Sequence, residues 1–367
     1  MTLKPYEIDE EMYRRFDEKN NMLFRRLWDN PPSTQGQIFE TNIDHHLNSM
    51  KEGYTRIDFA LVSAGWTVYE RFPFAFAWER EADFKGDYGS NWHKSKHEIV
   101  DQEHFTEKVK KVAKFFGGSL VGITEINPKW IYRTGFIRPN STSEAEAKKD
   151  IRSGDTSNSI LEKPINLPEG VNKAIVIAIE MDEDAISTAP AQPASAASAL
   201  GYSKMAFIIS CVGEFIRNMG YSAIQCGNDT ALSIPLAIDA GLGALGRLGL
   251  LITPEFGPRV RICKVFTDMP LESDSPNLDF IEKISNYCIK CNKCAEECEN
   301  GAISTDMEPI FSQDSISNNS GVKKYYVSGE KCFEFWIENS GDCGNCIAAC
   351  PYSKIKKKLT PDEFWVK

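Results

Sequence analysis

The centre of the chain contains apolar runs of two kinds, and each kind predicts an element of secondary structure. Residues 104–118, HFTEKVKKVAKFFGG, place apolar side chains at helical spacing and end in two glycines, which predicts an amphipathic helix. The short, uninterrupted apolar runs at 120–123 and 174–179 are typical of buried strands. A second helical apolar face covers 207–219 and is closed by Gly220. The pattern therefore predicts two buried strands and two amphipathic helices.

Three other segments show no regular spacing of apolar residues. Residues 138–164 are rich in Ser, Asp, Asn and Lys and predict a surface excursion. Residues 187–199, STAPAQPASAASA, are rich in Pro, Ala and Ser and predict an ordered crossing loop before the second helix. Residues 241–246, GLGALG, match G-x-G-x-x-G, but the Gly and Pro residues that follow exclude the long helix of a dinucleotide-binding site. Such a backbone still suits the close approach of a flat ligand.

Composition narrows the functional classes. The chain has 367 residues, which predicts two or three domains. A formal net charge of −10 argues against nucleic-acid binding, because phosphate binding depends on clustered Lys and Arg. The sequence contains no run of 18 or more apolar residues, so no transmembrane helix is predicted. The N-terminus also lacks the apolar core of a secretory signal. We therefore expect an acidic globular protein that binds no nucleic acid.

The cysteines indicate the chemistry. Eight of the eleven fall within the last 80 residues, in the motifs C-x2-C-x2-C-x3-C and C-x2-C-x3-C-P. A disulfide framework belongs to small secreted domains that are short of core, whereas 42% of this chain is hydrophobic. Metal ligation is therefore the favoured interpretation.

The spacing of these cysteines suits two [4Fe-4S] clusters. Three thiolates in a tight loop bind one cluster, and the fourth cysteine of the run serves the other cluster. By this crossover, the first cluster is predicted to be held by Cys288, Cys291, Cys294 and Cys350. The second is predicted to be held by Cys298, Cys332, Cys343 and Cys346.

Two departures and one alternative bear on this prediction. Glu299 follows Cys298 where the bacterial ferredoxin run has Pro, and Cys332 lies further from Cys343 than in that run. Paired C-x2-C knuckles also bind structural zinc. Zinc knuckles use two pairs of ligands and do not explain a triplet spaced x2-x2-x3, so we favour the clusters.

A family resemblance extends over roughly residues 105–355. Residues 226–268, CGNDTALSIPLAIDAGLGALGRLGLLITPEFGPRVRICKVFTD, strongly resemble the catalytic subunits of the corrinoid-dependent reductive dehalogenases of organohalide respiration. FFGGSLVGITEINPKWIY (115–132), KCFEFW (331–336) and the two cysteine runs are similar to the same family, in the same order.

The resemblance implies an α/β (α+β) fold, in which a nitroreductase-like corrinoid-binding unit precedes a ferredoxin-like unit with two [4Fe-4S] clusters. We expect an N-terminal unit over 1–105 that covers the substrate pocket, the corrinoid unit over 106–272 and the ferredoxin-like unit over 273–367. The corrinoid is expected in its base-off form. Its expected contacts are Gly241, Gly243, Gly246 and Thr253.

The family's catalytic tyrosine, asparagine and arginine fall by motif on Tyr202, Asn228 and Arg261. Replacing halogen by hydrogen takes two electrons and one proton. We expect Tyr202 to donate the proton, Arg261 to favour the phenolate, and Asn228 to position substrate or halide. Tyr221 is the alternative to Tyr202, because it lies nearby in the sequence. Aromatic side chains are expected to shape the substrate pocket, namely Phe39, Trp66, Trp92 and Trp336.

Two other functions compete with this interpretation. One is an epoxyqueuosine reductase-like corrinoid and iron–sulfur reductase, and the other is a ferredoxin-type electron carrier without a substrate. The resemblance implies as partners a small organohalide, a small membrane-anchor protein and a membrane electron donor, with a homodimer as a further expectation. We expect the outer face of the cytoplasmic membrane if the chain is a processed form, and the cytoplasm if it is complete.

Overall fold

The computed structural model describes residues 5–25, 29, 40–71, 95–137, 161–313 and 315–366. Within these residues the helices are α1 (Met22–Arg25), α2 (Glu40–Ser49), α3 (Arg56–Arg71), α4 (Gln102–Phe115), α5 (Glu183–Ser187), α6 (Gln192–Asn218), α7 (Ser233–Asp239), α8 (Leu278–Lys290), α9 (Lys293–Glu296), α10 (Gly329–Asn339), α11 (Asn345–Ala349) and α12 (Pro361–Val366). The strands are β1 (Leu120–Glu125), β2 (Thr134–Ile137), β3 (Leu161–Pro164), β4 (Lys173–Glu180), β5 (Ala223–Cys226), β6 (Ala244–Leu245), β7 (Leu251–Ile252) and β8 (Val260–Thr267).

A four-stranded antiparallel sheet forms the centre, in the order β1-β4-β8-β5. The predicted buried strands are confirmed as β1 and β4, and the first predicted helix is confirmed as α4. β2 and β3 pair separately, so the end of the predicted surface excursion is a strand. The rest of that excursion, residues 138–160, lies outside the described residues.

Alternating side chains of the sheet build two cores, because successive residues of a strand point to opposite faces. Ile175 and Ile177 of β4 pack in one core with side chains of α4 and α6. Val176 and Ala178 pack in the other core with side chains of α7. Helices therefore cover both faces of the sheet.

The long helix α6 corrects the prediction of a crossing loop at 187–199. The helix begins at Gln192, with Pro193 in its first turn, where a backbone N–H has no helical partner. Alanine is the strongest helix former, and Ala194, Ala197 and Ala199 are buried. The helix is long and apolar enough to cross a membrane, since an 18-residue window of it has a mean hydropathy of 1.3. However, 56% of that window is buried inside the protein. Its apolar character is therefore that of a core helix.

The cysteine-rich region packs on the central unit through the β6–β7 hairpin. Leu248 and Ile252 of the hairpin share a core with Ile284 of α8 and Ile347 of α11. The two regions are thus joined by buried apolar contacts.

The N-terminal residues also pack on the central unit. Tyr6 lies edge-on to Trp130, with ring centroids 5.0 Å apart, and its hydroxyl donates to the Pro235 carbonyl at 2.7 Å. Gly65 of α3 lies so close to α6 that an added Cβ would be 2.9 Å from the Ala199 Cβ. The predicted domain boundary near residue 105 stays a prediction.

Candidate active site

The three predicted catalytic residues come from three different elements. Tyr202 lies well inside α6, which begins ten residues before it and extends the helical face predicted over 207–219 towards the N-terminus. Asn228 lies in the loop between β5 and α7, and Arg261 lies on β8 opposite Ile179. β5 and β8 are neighbours in the sheet, and α6 packs across that face. The fold therefore brings together residues that lie up to 59 positions apart (261 minus 202).

Tyr202 contacts both of the other predicted catalytic residues. The Asn228 side-chain amide donates to the Tyr202 hydroxyl oxygen at 2.7 Å. The Arg261 guanidinium carbon lies 5.0 Å from the centroid of the Tyr202 ring, within the range of a cation–π contact. Because the phenol oxygen accepts from Asn228, its own hydrogen is free for donation to another group.

Tyr221, the alternative proton donor, lies elsewhere. Its hydroxyl donates to the backbone carbonyl of His97 at 2.7 Å. The Lys96 ammonium lies 5.0 Å from its ring centroid. The geometry therefore favours Tyr202 over Tyr221.

Two unpredicted polar side chains hold Arg261. One terminal guanidinium nitrogen donates to the Ser198 hydroxyl at 2.6 Å and lies 3.3 Å from an Asp342 carboxylate oxygen. Ser198 is four residues before Tyr202 and so shares its helix face. That spacing could have identified Ser198 if the helix had been predicted there. The Arg261 Nε is buried with no partner in the described part of the chain, which leaves one donor for a bound molecule.

Aromatic residues of α3 cover the other side of Tyr202. The Trp66 ring stacks on Tyr202 at 5.0 Å, and the Tyr69 ring lies edge-on at 5.5 Å. The predicted pocket residue Trp66 is thus at the site. Trp336 lies instead on α10, with its ring 6.3 Å from that of Phe333. Phe39 and Trp92 lie outside the described residues.

A buried polar cluster supports the Asn228 loop. The fully buried Lys264 ammonium donates to the carbonyls of Gly227, at 2.5 Å, and Ala231, at 2.9 Å. Burial lowers the pKa of Lys264, and burial raises the pKa of Asp229 against the opposing effect of Lys264. The hydrogen bonds of Lys264 therefore hold the backbone of the Asn228 loop in place, a role that the sequence analysis did not identify.

Glu18 completes this cluster from the N-terminal segment. Its carboxylate accepts the Phe136 backbone N–H at 2.8 Å. Burial, and next the Asp229 charge, raise the pKa of Glu18 to about 8. Folding therefore favours the protonated carboxyl of Glu18.

A cavity of about 500 Å³ adjoins the catalytic group, and Asn228 and Arg261 are part of its wall. That volume is within the range of small-molecule and cofactor sites. Much of its lining is apolar or aromatic, with Trp130, Tyr132, Leu245, Leu250, Leu251, Val260, Ile262 and Tyr325 among the contributors. Such a wall, with the free Arg261 Nε at its edge, fits a flat macrocycle with polar substituents.

The four predicted corrinoid contacts do not line this cavity, and the structure gives them packing roles. An added Cβ on Gly243 would lie 2.2 Å from the Ile252 carbonyl oxygen, and one on Gly241 would lie 2.7 Å from that of Ser275. The Cβ of a residue replacing Gly246 would meet the Ile252 side chain at 2.5 Å. The Thr253 hydroxyl donates to the Gly257 carbonyl at 3.1 Å. These glycines let other segments of the same chain pack closely against their backbone. Their neighbours in the hairpin face the cavity.

The cysteines predicted for the first cluster lie together. Burial, and then Cys288 and Cys350, raise the pKa of the Cys294 thiol to about 12. Burial, and then Cys288 and Cys291, raise the pKa of Cys350 to about 11. The thiols of Cys294 and Cys350 thus lie near other cysteines of the predicted first group.

The second predicted group is assembled in the same way. Burial, and then Cys343 and Cys298, raise the pKa of Cys332 to about 12. Burial, and then Cys343 and Cys332, raise the pKa of Cys346 well above its ordinary value. The Ala302 backbone N–H donates to the Cys298 sulfur at 3.2 Å, as is common around iron–sulfur clusters. The thiols of Cys332 and Cys346 thus lie near other cysteines of the predicted second group, and Cys346 also lies near Cys294 of the first. Four cysteines in each predicted group match the number that a [4Fe-4S] cluster needs.

Two family models match separate parts of the chain. The model of the 4Fe-4S dicluster domain matches residues 287–354, which makes the protein one of the class with two iron–sulfur clusters in a ferredoxin-like unit. The model of the reductive dehalogenase subunit matches residues 120–271.

The relatives identify the family. The chain is 34% identical over 322 residues to the tetrachloroethene reductive dehalogenase of Sulfurospirillum multivorans, covering 84% of this chain and 64% of the relative. The chain therefore spans less than two thirds of that relative's length. A likeness to the epoxyqueuosine reductase of Listeria monocytogenes, at 30% identity, covers 35% of this chain and 33% of that relative. The protein belongs to the reductive dehalogenase family.

A solved structure agrees with the fold. It is a reductive dehalogenase whose structure suggests a mechanism for B12-dependent dehalogenation. Its TM-score is 0.68 at 20% identity, over 99% of this chain and 45% of that chain. The expected mixed α/β fold with a C-terminal ferredoxin-like unit is confirmed.

The grouping of Cys332 predicts the effect of its removal. We expect Cys332→Ser to lower the iron content from about eight per chain, because the second cluster loses a thiolate while the first keeps all four. Iron analysis and electron paramagnetic resonance of the reduced protein measure this. Cys211→Ser is the control and keeps the full iron content, since Cys211 belongs to neither group. An unchanged second-cluster signal in Cys332→Ser would remove Cys332 from the ligand set.

The pKa of Glu18 predicts a pH-dependent stability. Between the ordinary pKa of 4.5 and about 8, the folded protein holds a proton that the unfolded chain has lost. This contribution therefore falls as the pH rises through that window, by up to about 1.4 kcal/mol per pH unit. We expect Glu18→Gln to raise the midpoint of thermal unfolding more at pH 8 than at pH 5, at one scan rate. The exposed Glu125→Gln is the control, and equal shifts at both pH values would contradict the prediction.

Proposed function

We propose that the protein is the catalytic subunit of a corrinoid- and iron–sulfur-dependent reductive dehalogenase. The reaction consumes an organohalide, two electrons and one proton, and gives the dehalogenated product and a halide ion. The observation that carries the proposal is the group formed by Tyr202, Asn228 and Arg261 at the edge of an apolar cavity beside the ferredoxin-like unit.

The cofactors supply the electrons. A bound corrinoid provides reductive chemistry at cobalt, and the two clusters provide single electrons. Residues of the β6–β7 hairpin and Tyr325 would hold the corrin face, and the Arg261 Nε is available to a polar substituent. Base-off binding is part of this proposal and rests on the resemblance.

Tyr202 is suited to provide the proton. Its hydroxyl hydrogen is free because the oxygen accepts from Asn228. After donation, the same amide hydrogen bond and the nearby Arg261 cation stabilise the phenolate. Trp66 and Tyr69 cover the Tyr202 ring on the side of α3, which leaves the hydroxyl end, bonded to Asn228, open to a bound substrate.

The alternatives have less support. The likeness to epoxyqueuosine reductase covers 35% of the chain, against 84% for the tetrachloroethene reductive dehalogenase. A plain electron carrier needs neither the cavity nor the catalytic group. The respiratory role, a small membrane-anchor partner, a position on the outer face of the cytoplasmic membrane and a homodimer are proposals that rest on the resemblance.

Metal analysis of anaerobically prepared protein is the first test. We expect about one cobalt and about eight irons per chain, together with the visible spectrum of a base-off corrinoid. Eight irons without cobalt, after reconstitution with cobalamin, would contradict the dehalogenase and favour an electron carrier.

The second test removes the proton donor. We expect Tyr202→Phe to keep its cobalt and iron and to lose at least about 100-fold in dehalogenation rate, the usual contribution of a general acid. Halide release is measured over a panel of organohalides that begins with tetrachloroethene, because the relative acts on it by name. Tyr221→Phe is the matched control and retains the wild-type rate. Full activity in Tyr202→Phe would place the proton donor elsewhere.

A further inference from the structure

A buried arginine lies between the first cysteine group and the cavity wall. Arg247, in the β6–β7 hairpin, is only 2% exposed. Its guanidinium donates to the backbone carbonyls of Cys288, at 2.8 and 3.1 Å, and Cys291, at 3.1 Å. It also donates to the carbonyls of Ser304, at 2.8 Å, and Asp306, at 2.9 Å. Its hydrogen-bond partners in the described part of the chain are therefore carbonyls.

The surroundings of Arg247 connect it with both cofactor regions. Its guanidinium donates to the backbone carbonyl of Cys288, a cysteine of the first group. The guanidinium carbon lies 3.8 Å from the ring centroid of Tyr325, and Tyr325 lines the cavity. A cation in this position is fixed on one side by the ligand loop and on the other by an aromatic ring of the cavity.

Arg247 differs in its ion pairing from Arg259, which is also buried near a ligand loop. Arg259 also donates to a carbonyl near a cluster cysteine, that of Ser353, but it pairs with Glu180 at 3.0 Å. Arg247 forms no ion pair within the residues that the structure describes, and the carboxylates of Asp306 and Glu308 lie near the Tyr325 ring on which it stacks. A buried charge interacts more strongly than an exposed one, because little solvent screens it.

We propose that Arg247 raises the reduction potential of the cluster held by Cys288, Cys291, Cys294 and Cys350. Reduction adds one electron to the cluster, and the fixed cation stabilises the added negative charge. Arg247 is a positioning residue in this role and does not touch substrate. The inference rests on the cluster assignment within the proposed function, and it does not depend on dehalogenation.

The test is a redox titration of the full chain with both clusters in place. Titanium(III) citrate is the reductant, and electron paramagnetic resonance reports each cluster. We expect Arg247→Met to lower the equilibrium constant for one-electron reduction of the first cluster at least tenfold, a shift of about 59 mV to lower potential. The second cluster serves as an internal reference and keeps its potential.

Two further variants separate charge from structure. Arg247→Lys keeps the charge but cannot make all the carbonyl contacts, and we expect it to stay within about threefold of wild type. Lys323→Met removes a half-exposed cation two residues from Tyr325, paired with Glu7, and we expect no shift because solvent screens that pair.

The outcomes that overturn the proposal are defined by these variants. An unchanged first-cluster potential in Arg247→Met, or a fall in Arg247→Lys as large as in Arg247→Met, would overturn the role of the charge. If Arg247→Met is isolated with less than the full iron content, Arg247→Lys decides alone: a retained potential supports the proposal, and a tenfold fall overturns it. No organohalide enters the titration, so a protein that carries clusters but does not dehalogenate still gives the result. A wild-type protein without cluster signals would overturn the cluster assignment and this proposal together.

Discussion

Close packing against the small side chains of the first half of α6 is the constraint on which the site depends. Three elements reach the helix there with almost no space to spare. An added Cβ on Gly65 of α3 would lie 2.9 Å from the Ala199 Cβ, and one on Gly341 would lie 3.0 Å from the Ser195 hydroxyl oxygen. One on Gly201 would lie 2.7 Å from the Arg261 Cγ. Protein interiors have few voids, so larger residues at these points would push the elements apart.

This packing determines the chemistry of the site. Because α3 lies close to α6, its Trp66 and Tyr69 rings reach Tyr202. Because the loop after α10 lies close to the same helix, Asp342 reaches Arg261, which passes over Gly201 from β8. The group around Tyr202 is thus held by helix, sheet and cluster loop together.

How far the sequence predicts this arrangement depends on the distance between the residues involved. The sequence alone supports a prediction of the two ligand groups, because most of the cysteines lie within short motifs, where spacing alone limits the geometry. The spacing of apolar residues along the sequence was enough to predict β1, β4 and α4. The start of α6 could not, because Pro, Ala and Ser are typical both of an irregular loop and of a helix packed closely on its neighbours. Only burial by distant elements distinguishes the two.

Long-range contacts were inaccessible for the same reason. Nothing local pairs Arg261 with Asp342, or places the Arg247 guanidinium on the carbonyl of Cys288. The glycines of GLGALG were interpreted as room for a ligand, since the sequence shows only that a side chain is missing. In the structure that space is filled by the Ile252 carbonyl and the Ser275 carbonyl.

The two clusters consequently lie in different electrostatic surroundings. Cys343 of the second group has the carboxylates of Asp342 and Glu299 as neighbours, and both oppose an added negative charge. Arg261 offsets part of the Asp342 charge. The first group instead has the Arg247 cation at its carbonyls, and that cation also contacts Tyr325 in the cavity wall. These surroundings therefore agree with the role proposed for Arg247, in which the cluster held by the first group would be the more easily reduced of the two.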